Sequence, residues 1–209
     1  MNRFEFRPAT SEGYWRDHPL REFHAQHHGL AEDVIVAFQK CLDEALDERP
    51  VQAFLERHPA ILVQMLHASA RFVLPRHRLG AEFIPDFVIG EHHSDGYSWV
   101  VVELESPGLS FFTSGGDPRA QLTHAIRQVQ DWRAWLQRNQ NYASRLRTEA
   151  GLGLTDITAN VPGVVLMGRR GLVDPQTNDR RRQMATDLNI QIHTYDHLVE
   201  AAWVCARPR

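Results

Sequence analysis

A mixed β-sheet flanked by helices, an α/β fold, is the class this sequence predicts, and three observations lead to it. Apolar residues recur at helical spacing from Ala31 to about Leu46 and again, over a longer stretch, from about Pro118 to Arg147. Three strand-like runs stand together between residues 71 and 104. Beyond the long helical stretch, short apolar runs alternate with helical ones, so the order is α, then β-β-β, then α-β-α-β-α.

Residues 1 to about 30 carry Trp15, His18, His24, His27 and His28 without a clean period, and read as an arm or short N-terminal element. Residues 1–45 are therefore expected to be an N-terminal arm and helix of unassigned role, and residues 46–209 the functional domain. The stripe Val34, Ala37, Phe38, Cys41, Leu42 and Ala45 makes the first helix. Pro50 opens a second helix at its first turn, and Pro59 marks a break in it. Arg71-Phe72-Val73-Leu74 and Glu82 through Ile89 are rich in β-formers, and Trp99-Val100-Val101-Val102 is the apolar run of a buried strand. Asp95-Gly96 is a hairpin turn signal, which makes the second and third strands antiparallel neighbours and leaves His92 and His93 as turn residues.

A Gly- and Ser-containing connector over residues 106–117 leads to the long helix, for which Asp117 is the expected N-cap and Pro118 the first-turn residue. Leu122, Ile126, Val129, Trp132 and Leu136 form its apolar stripe; Trp132 and Trp135 read as packing residues. Val161 to Gly168 and Ile190 to Tyr195 read as strands. Asn178 to Leu188 and His197 to Val204 read as helices, the latter N-capped by Asp196.

With 209 residues, 43% hydrophobic and 23% charged, the chain is of one-domain size and ordinary globular composition. No apolar run approaches the roughly 18 residues that span a bilayer. The first residues lack the apolar core of a secretory signal, so a cytoplasmic protein with no membrane association is expected. Cys41 and Cys205 form no CxxC pair and read as reduced structural thiols. Net charge is −3, which excludes a generally basic nucleic-acid coat. Of the 23 basic residues, 22 are arginine, and any chemistry needing a lysine has Lys40 as its single candidate.

The informative stretch is Ile84-Pro85-Asp86-Phe87-Val88, followed seventeen residues after Asp86 by Glu103-Leu104-Glu105-Ser106-Pro107. Alternate residues of a strand share a face, so Glu103 and Glu105 point the same way, about 6.6 Å apart, while Val100, Val102 and Leu104 point to the opposite, buried face. A turn near Asp95 sets Asp86 across from Glu103 or Glu105, according to register, and either register gathers three acids on one patch. Carboxylates so gathered repel, and each raises the others' pKa unless a cation sits among them. A hard divalent ion suits them: Mg²⁺, with Mn²⁺ as a substitute, prefers oxygen ligands, lowers the pKa of a bound water and stabilises charge on a phosphoryl oxygen.

The pattern resembles the PD-(D/E)XK nuclease superfamily and, more narrowly, the C-terminal nuclease domain of the Shedu family of bacterial anti-phage defence proteins. The resemblance covers roughly residues 50 to 200. It rests on the order and spacing of Phe54-Leu55-Glu56-Arg57-His58-Pro59, Arg78-Leu79-Gly80, Pro85-Asp86-Phe87, Val102-Glu103-Leu104-Glu105-Ser106-Pro107, His124-Ala125-Ile126-Arg127-Gln128-Val129 with Asp131-Trp132-Arg133, and Thr194-Tyr195-Asp196-His197-Leu198. It implies a restriction-endonuclease-like sheet in residues 46–209 and a metal-dependent DNA endonuclease or nickase acting in defence. It also implies assembly as a homo-oligomer, to bring two sites to two strands. Asp86 and Glu103 would hold the metal, Glu56 would approach as an accessory acid, and Gln128 would face the metal from the long helix. Position 105, where the superfamily usually has lysine, holds a glutamate, which would serve as a further ligand or as base.

Arg169-Arg170 after a strand, Arg180-Arg181-Arg182 on a helix, and Arg76 and Arg78 with His77 offer a phosphate-contacting face, since guanidinium forks match phosphate geometry. His92-His93 lacks the cysteine partners or HExxH spacing of a zinc site. Two other functions remain open at this stage. A catalytically inactive nuclease-fold module would bind DNA or a partner protein, and a two-carboxylate glycoside hydrolase would work without metal.

Overall fold

In a computed structural model, which describes residues 18–26, 30–68 and 70–206, the chain builds one five-stranded sheet between two layers of helix. Most of the arm, with Trp15, His27 and His28, lies outside the described residues. Helices α1 (Glu32–Glu44), α2 (Arg49–Arg57) and the single turn α3 (Pro59–Leu62) come first, with the break at His58 that Pro59 predicts. Strands β1 (Ala70–Pro75), β2 (Phe87–His93) and β3 (Gly96–Leu104) follow, then the long helix α4 (Ala120–Ser144). Strand β4 (Gly163–Leu166), helix α5 (Asn178–Leu188), strand β5 (Ile190–His193) and helix α6 (Asp196–Ala206) complete the chain.

The sheet runs in the order β1-β2-β3-β4-β5; its first two pairings are antiparallel and its last two parallel. Strand β3 is central, and its alternation explains the layering. Trp99 and Val101 join Phe72, Val88, Val165 and the α4 residues Leu122, Val129 and Trp132 in one core. Val102 and Leu104 join Phe87, Leu166, Phe38 of α1, Leu55 of α2 and Leu198 of α6 in the other. Both faces of β3 are therefore dry, as a contiguous Trp-Val-Val-Val run requires.

Several boundaries differ from the sequence expectation. Strand β2 starts at Phe87, because Leu79 and Phe83 close a small bridge of their own and Glu82–Asp86 stay irregular. His92 and His93 belong to β2 and the turn falls on Ser94 and Asp95; Glu91 takes up His93 at 3.1 Å as well as the amides of His67 and Ala68. Helix α4 starts at Ala120, with Arg119 in the capping position and no side-chain cap. Phe112 bridges Pro118, and the Thr113 amide donates to the Asp117 carbonyl, so Asp117 and Pro118 close a loop before the helix begins. Asp196 is the first residue of α6, and its carboxylate accepts from the Arg170 amide at 2.6 Å and from the Arg169 guanidinium.

At the exit of β4, Gly168 stitches three segments together. Its amide donates to the Ser106 carbonyl, its carbonyl accepts from the Tyr195 amide, and its φ is +69°. A Cβ there would stand 2.3 Å from the Leu109 carbonyl oxygen, a backbone atom with no freedom to yield. Gly168→Ala is therefore expected to destabilise the protein by at least about 2 kcal/mol, read as a lower urea midpoint with unchanged slope.

Candidate metal and catalytic site

Register decides which acids meet. Phe87 pairs with Val102 in the β2–β3 ladder, so the next step of the same register sets Asp86 opposite Glu103. The Asp86 carboxylate accepts the Leu104 amide at 2.9 Å, which pins it across the end of β3, and the Asp86 carbonyl accepts the Arg76 amide at 2.9 Å. Glu103 is the third residue from the dry centre of β3 and points toward α4, the opposite side from Val102 and Leu104. It is only 7% exposed. The expected sharing of a face with Glu105 and the burial of Val102 and Leu104 on the other follow from this register.

The electrostatic consequence is severe. Burial, then the neighbouring Asp86 and Glu105, push the Glu103 carboxyl up to about 9, against the favourable pull of the Gln128 side chain and the Asp86 amide. Asp86 is raised to about 6, by burial first and then by Glu48 and Glu56, with the Leu104 amide and Arg76 acting the other way. Glu105 is raised to about 7 by burial, Glu48 and Asp86. One oxygen of Glu103 and the side-chain oxygen of Gln128 are buried with no hydrogen-bond partner. Each is a buried acceptor that no donor satisfies.

Two contributors were not legible in the sequence. Glu48 sits at the N-cap of α2 and bears on both Asp86 and Glu105; an acid just ahead of Arg49-Pro50 was its only signal. Tyr195 is fully buried beneath the acids, donating its hydroxyl to the Glu105 carbonyl at 2.8 Å. Burial and the charges of Asp86 and Glu105 push that phenol far above its usual range, so it is a fixed neutral donor. Glu56 is exposed on α2, where Gln52 donates to it at 3.1 Å, and it acts on the cluster through its charge on Asp86. Lys40 pairs with Glu44 on the surface of α1.

The donor set fits a hard divalent cation: carboxylates and an amide oxygen, two of those oxygens unsatisfied. Among the described residues no group of three or more His, Cys, Asp or Glu side chains is gathered tightly enough to enclose an ion.

The six arginines differ in their engagements. Arg76 is exposed beside Asp86, and Arg78 is exposed two residues on. Arg169 is spent on Asp43 and Asp196, and Arg170 on Glu200 at 2.5 Å. Arg180 donates to the Gly116 carbonyl, and Arg181 lies over the Phe111 ring at 5.2 Å, so both belong to the loop before α4. His124 is exposed against Arg127, one turn from Gln128, and Trp132 is buried. Among the described residues no helix is long and apolar enough to cross a membrane.

Set against known proteins, residues 45–199 match the family described as Shedu protein SduA, C-terminal. Among solved structures, the restriction endonuclease FokI bound to DNA matches with a TM-score of 0.45 and 9% identity, over 83% of this chain and 28% of that one. The chain thus spans less than a third of that protein. No curated protein matches.

Proposed function

Because this chain belongs to the Shedu C-terminal family, we propose that it is a metal-dependent DNA endonuclease or nickase of anti-phage defence, hydrolysing phosphodiester bonds with water. The observation that carries the reading is the buried Glu103 carboxylate, one oxygen unsatisfied, set opposite Asp86 and hydrogen-bonded to the Gln128 side chain, whose own oxygen has no partner. Nothing structural is gained by burying an acid in that state, and a site for a cation explains it.

In this reading Asp86 and Glu103 hold Mg²⁺ or Mn²⁺, with Gln128 and Glu105 completing the set. When bound, the ion supplies a more acidic water and a counter-charge for the phosphoryl oxygens. The remaining steps belong to the protein. Glu105, beside Asp86 at the end of β3, takes the proton of the attacking water as general base, and the departing sugar oxygen takes up a proton from solvent. Tyr195 and the Leu166 carbonyl, which accepts the Glu105 amide at 2.8 Å, fix the backbone that aims it. Arg76, exposed at the rim, contacts a phosphate and steers the strand toward the acids. Homo-oligomer formation, which would bring two sites to two strands, belongs to the same proposal.

The second reading, an inactive module that binds DNA or a partner, is favoured by Glu105 at the usual lysine position and by the engagement of Lys40 elsewhere. Supercoiled and linear DNA incubated with the protein in Mg²⁺, Mn²⁺ or EDTA separates the two. Cutting is expected with either ion and not in EDTA; DNA binding without cutting under every condition would establish the module instead.

A further inference from the structure

Residues 45–48 join α1 to α2 at the mouth of the acid cluster, where Glu48 bears on both Asp86 and Glu105. This loop is pinned along its length. The Ala45 amide donates to the Cys41 carbonyl at 3.0 Å, and the Asp47 carboxylate accepts the Arg49 amide at 3.0 Å. Between them the Leu46 carbonyl accepts the hydroxyl of Ser106 at 3.2 Å, and Ser106 is buried directly after Glu105. The backbone of Leu46 is thereby fixed to the strand end that carries the acids. Its side chain nevertheless stands open: at 93% exposure, Leu46 is the most exposed large apolar residue among those described.

A single exposed leucine on a surface is ordinary. One whose backbone is tethered beside buried acids, with its side chain kept in water, is placed for a partner that those acids also engage. The charges around it select that partner. Asp43 is paired with Arg169 and Glu44 with Lys40 at 3.8 Å, while the Arg49 side chain is 85% exposed and meets Asp47 only at 3.9 Å. Arg76 is exposed beside Asp86. An apolar tip among open guanidinium groups suits stacked bases between phosphates. We propose that Leu46 is a wedge that enters the base stack of a DNA duplex next to the bound phosphate and unstacks one step, turning the strand toward the acids. This rests on the reading of those acids as a DNA site. It makes duplex opening, and not only phosphate contact, a condition of cutting. An intact duplex needs Leu46, and DNA already unstacked at a mismatch does not.

Unstacking is read in EDTA, where cleavage plays no part, as the fluorescence of 2-aminopurine placed along a short duplex, which brightens when a base leaves the stack. The unmodified protein is compared with Leu46→Ala and with Val204→Ala, the truncation of an exposed valine on α6. Leu46 has almost no contacts to lose, so the fold of its variant is expected to be unchanged. A rise of about threefold with the unmodified protein and with Val204→Ala, and less than half of it with Leu46→Ala, is the expected result. In Mg²⁺, Leu46→Ala is expected to cut the intact duplex about tenfold more slowly and a duplex with a single-base mismatch within about twofold of the unmodified protein. An equal rise with Leu46→Ala, or none with the unmodified protein, overturns the wedge. If the substitution instead lowers the sedimentation coefficient and leaves the fluorescence rise intact, Leu46 contacts a second copy of the chain and the proposal falls. Should the unmodified protein unstack the duplex yet cut in neither Mg²⁺ nor Mn²⁺, the wedge stands and the nuclease reading falls.

Discussion

Glu103→Gln is expected to cut DNA roughly 10²–10³-fold more slowly than the unmodified protein, the loss one preorganised electrostatic partner typically carries, while the fold is kept or strengthened. Glutamine copies the shape of the neutral acid that Glu103 becomes when its carboxyl is pushed up to about 9. It also brings an amide donor into a site where the oxygen of Gln128 has no partner. Deleting the charge therefore removes a ligand and relieves a buried repulsion in the same step. Glu103→Ala lacks that compensation: it opens a void beside Val101 and takes the Glu103 partner from the Gln128 side chain, at a cost of about 1–3 kcal/mol. Plasmid nicking in Mg²⁺ and thermal melting in EDTA, run on both variants, check the pair. Undiminished cutting by Glu103→Gln would place the chemistry elsewhere; a melting point lowered as far as in the alanine variant would make Glu103 structural.

The fold was legible because its signals are local or periodic. The Trp99-Val100-Val101-Val102 run announces a strand dry on both faces, and Pro59 breaks the helix where φ restriction demands. The Phe83–Asp86 segment and the start of α4 were misjudged for the opposite reason. A β-rich composition does not reveal that Leu79 and Phe83 bridge each other, and an Asp-Pro start signal does not reveal that Pro118 pairs back to Phe112. The acids of the site were legible as a set, since period-two alternation and a hairpin turn force Asp86 toward Glu103. Glu48 and Tyr195 were not, because each reaches the cluster from a separate element and only the packing of α2 and of the β5–α6 junction brings them there. The partners of the arginines are illegible for the same reason. Arg169 follows a strand as a phosphate ligand might, yet Asp43 and Asp196, at sequence distances no motif spans, take its guanidinium.

The same buried acids set the pH response of the metal-free protein. Asp86, Glu103 and Glu105 are raised in the folded state to about 6, 9 and 7, so the fold binds protons that the unfolded chain has released, and stability falls as pH rises through that window. His18 and His193 act oppositely: burial holds both down to about 4, so the unfolded chain binds their protons more readily and stability climbs between about 4 and 6.5. Above 6.5 the histidines are neutral in both states and the acids act alone. Glu103 by itself contributes a loss of about 3 kcal/mol from pH 6.5 to its folded value of about 9. For a chain of this length that is a fall in Tm of roughly 6–12 °C in EDTA. A cation held by these acids reverses the slope, since it binds their ionised forms and stabilises the fold by mass action, more so at higher pH. Melting curves from pH 6.5 to 9, in EDTA and in millimolar Mg²⁺ or Mn²⁺, are expected to diverge upward with the ion present, and to converge in Glu103→Gln. Curves that stay parallel with and without the ion would mean that the acids hold no cation, and a slope undiminished in Glu103→Gln would mean that another group carries it.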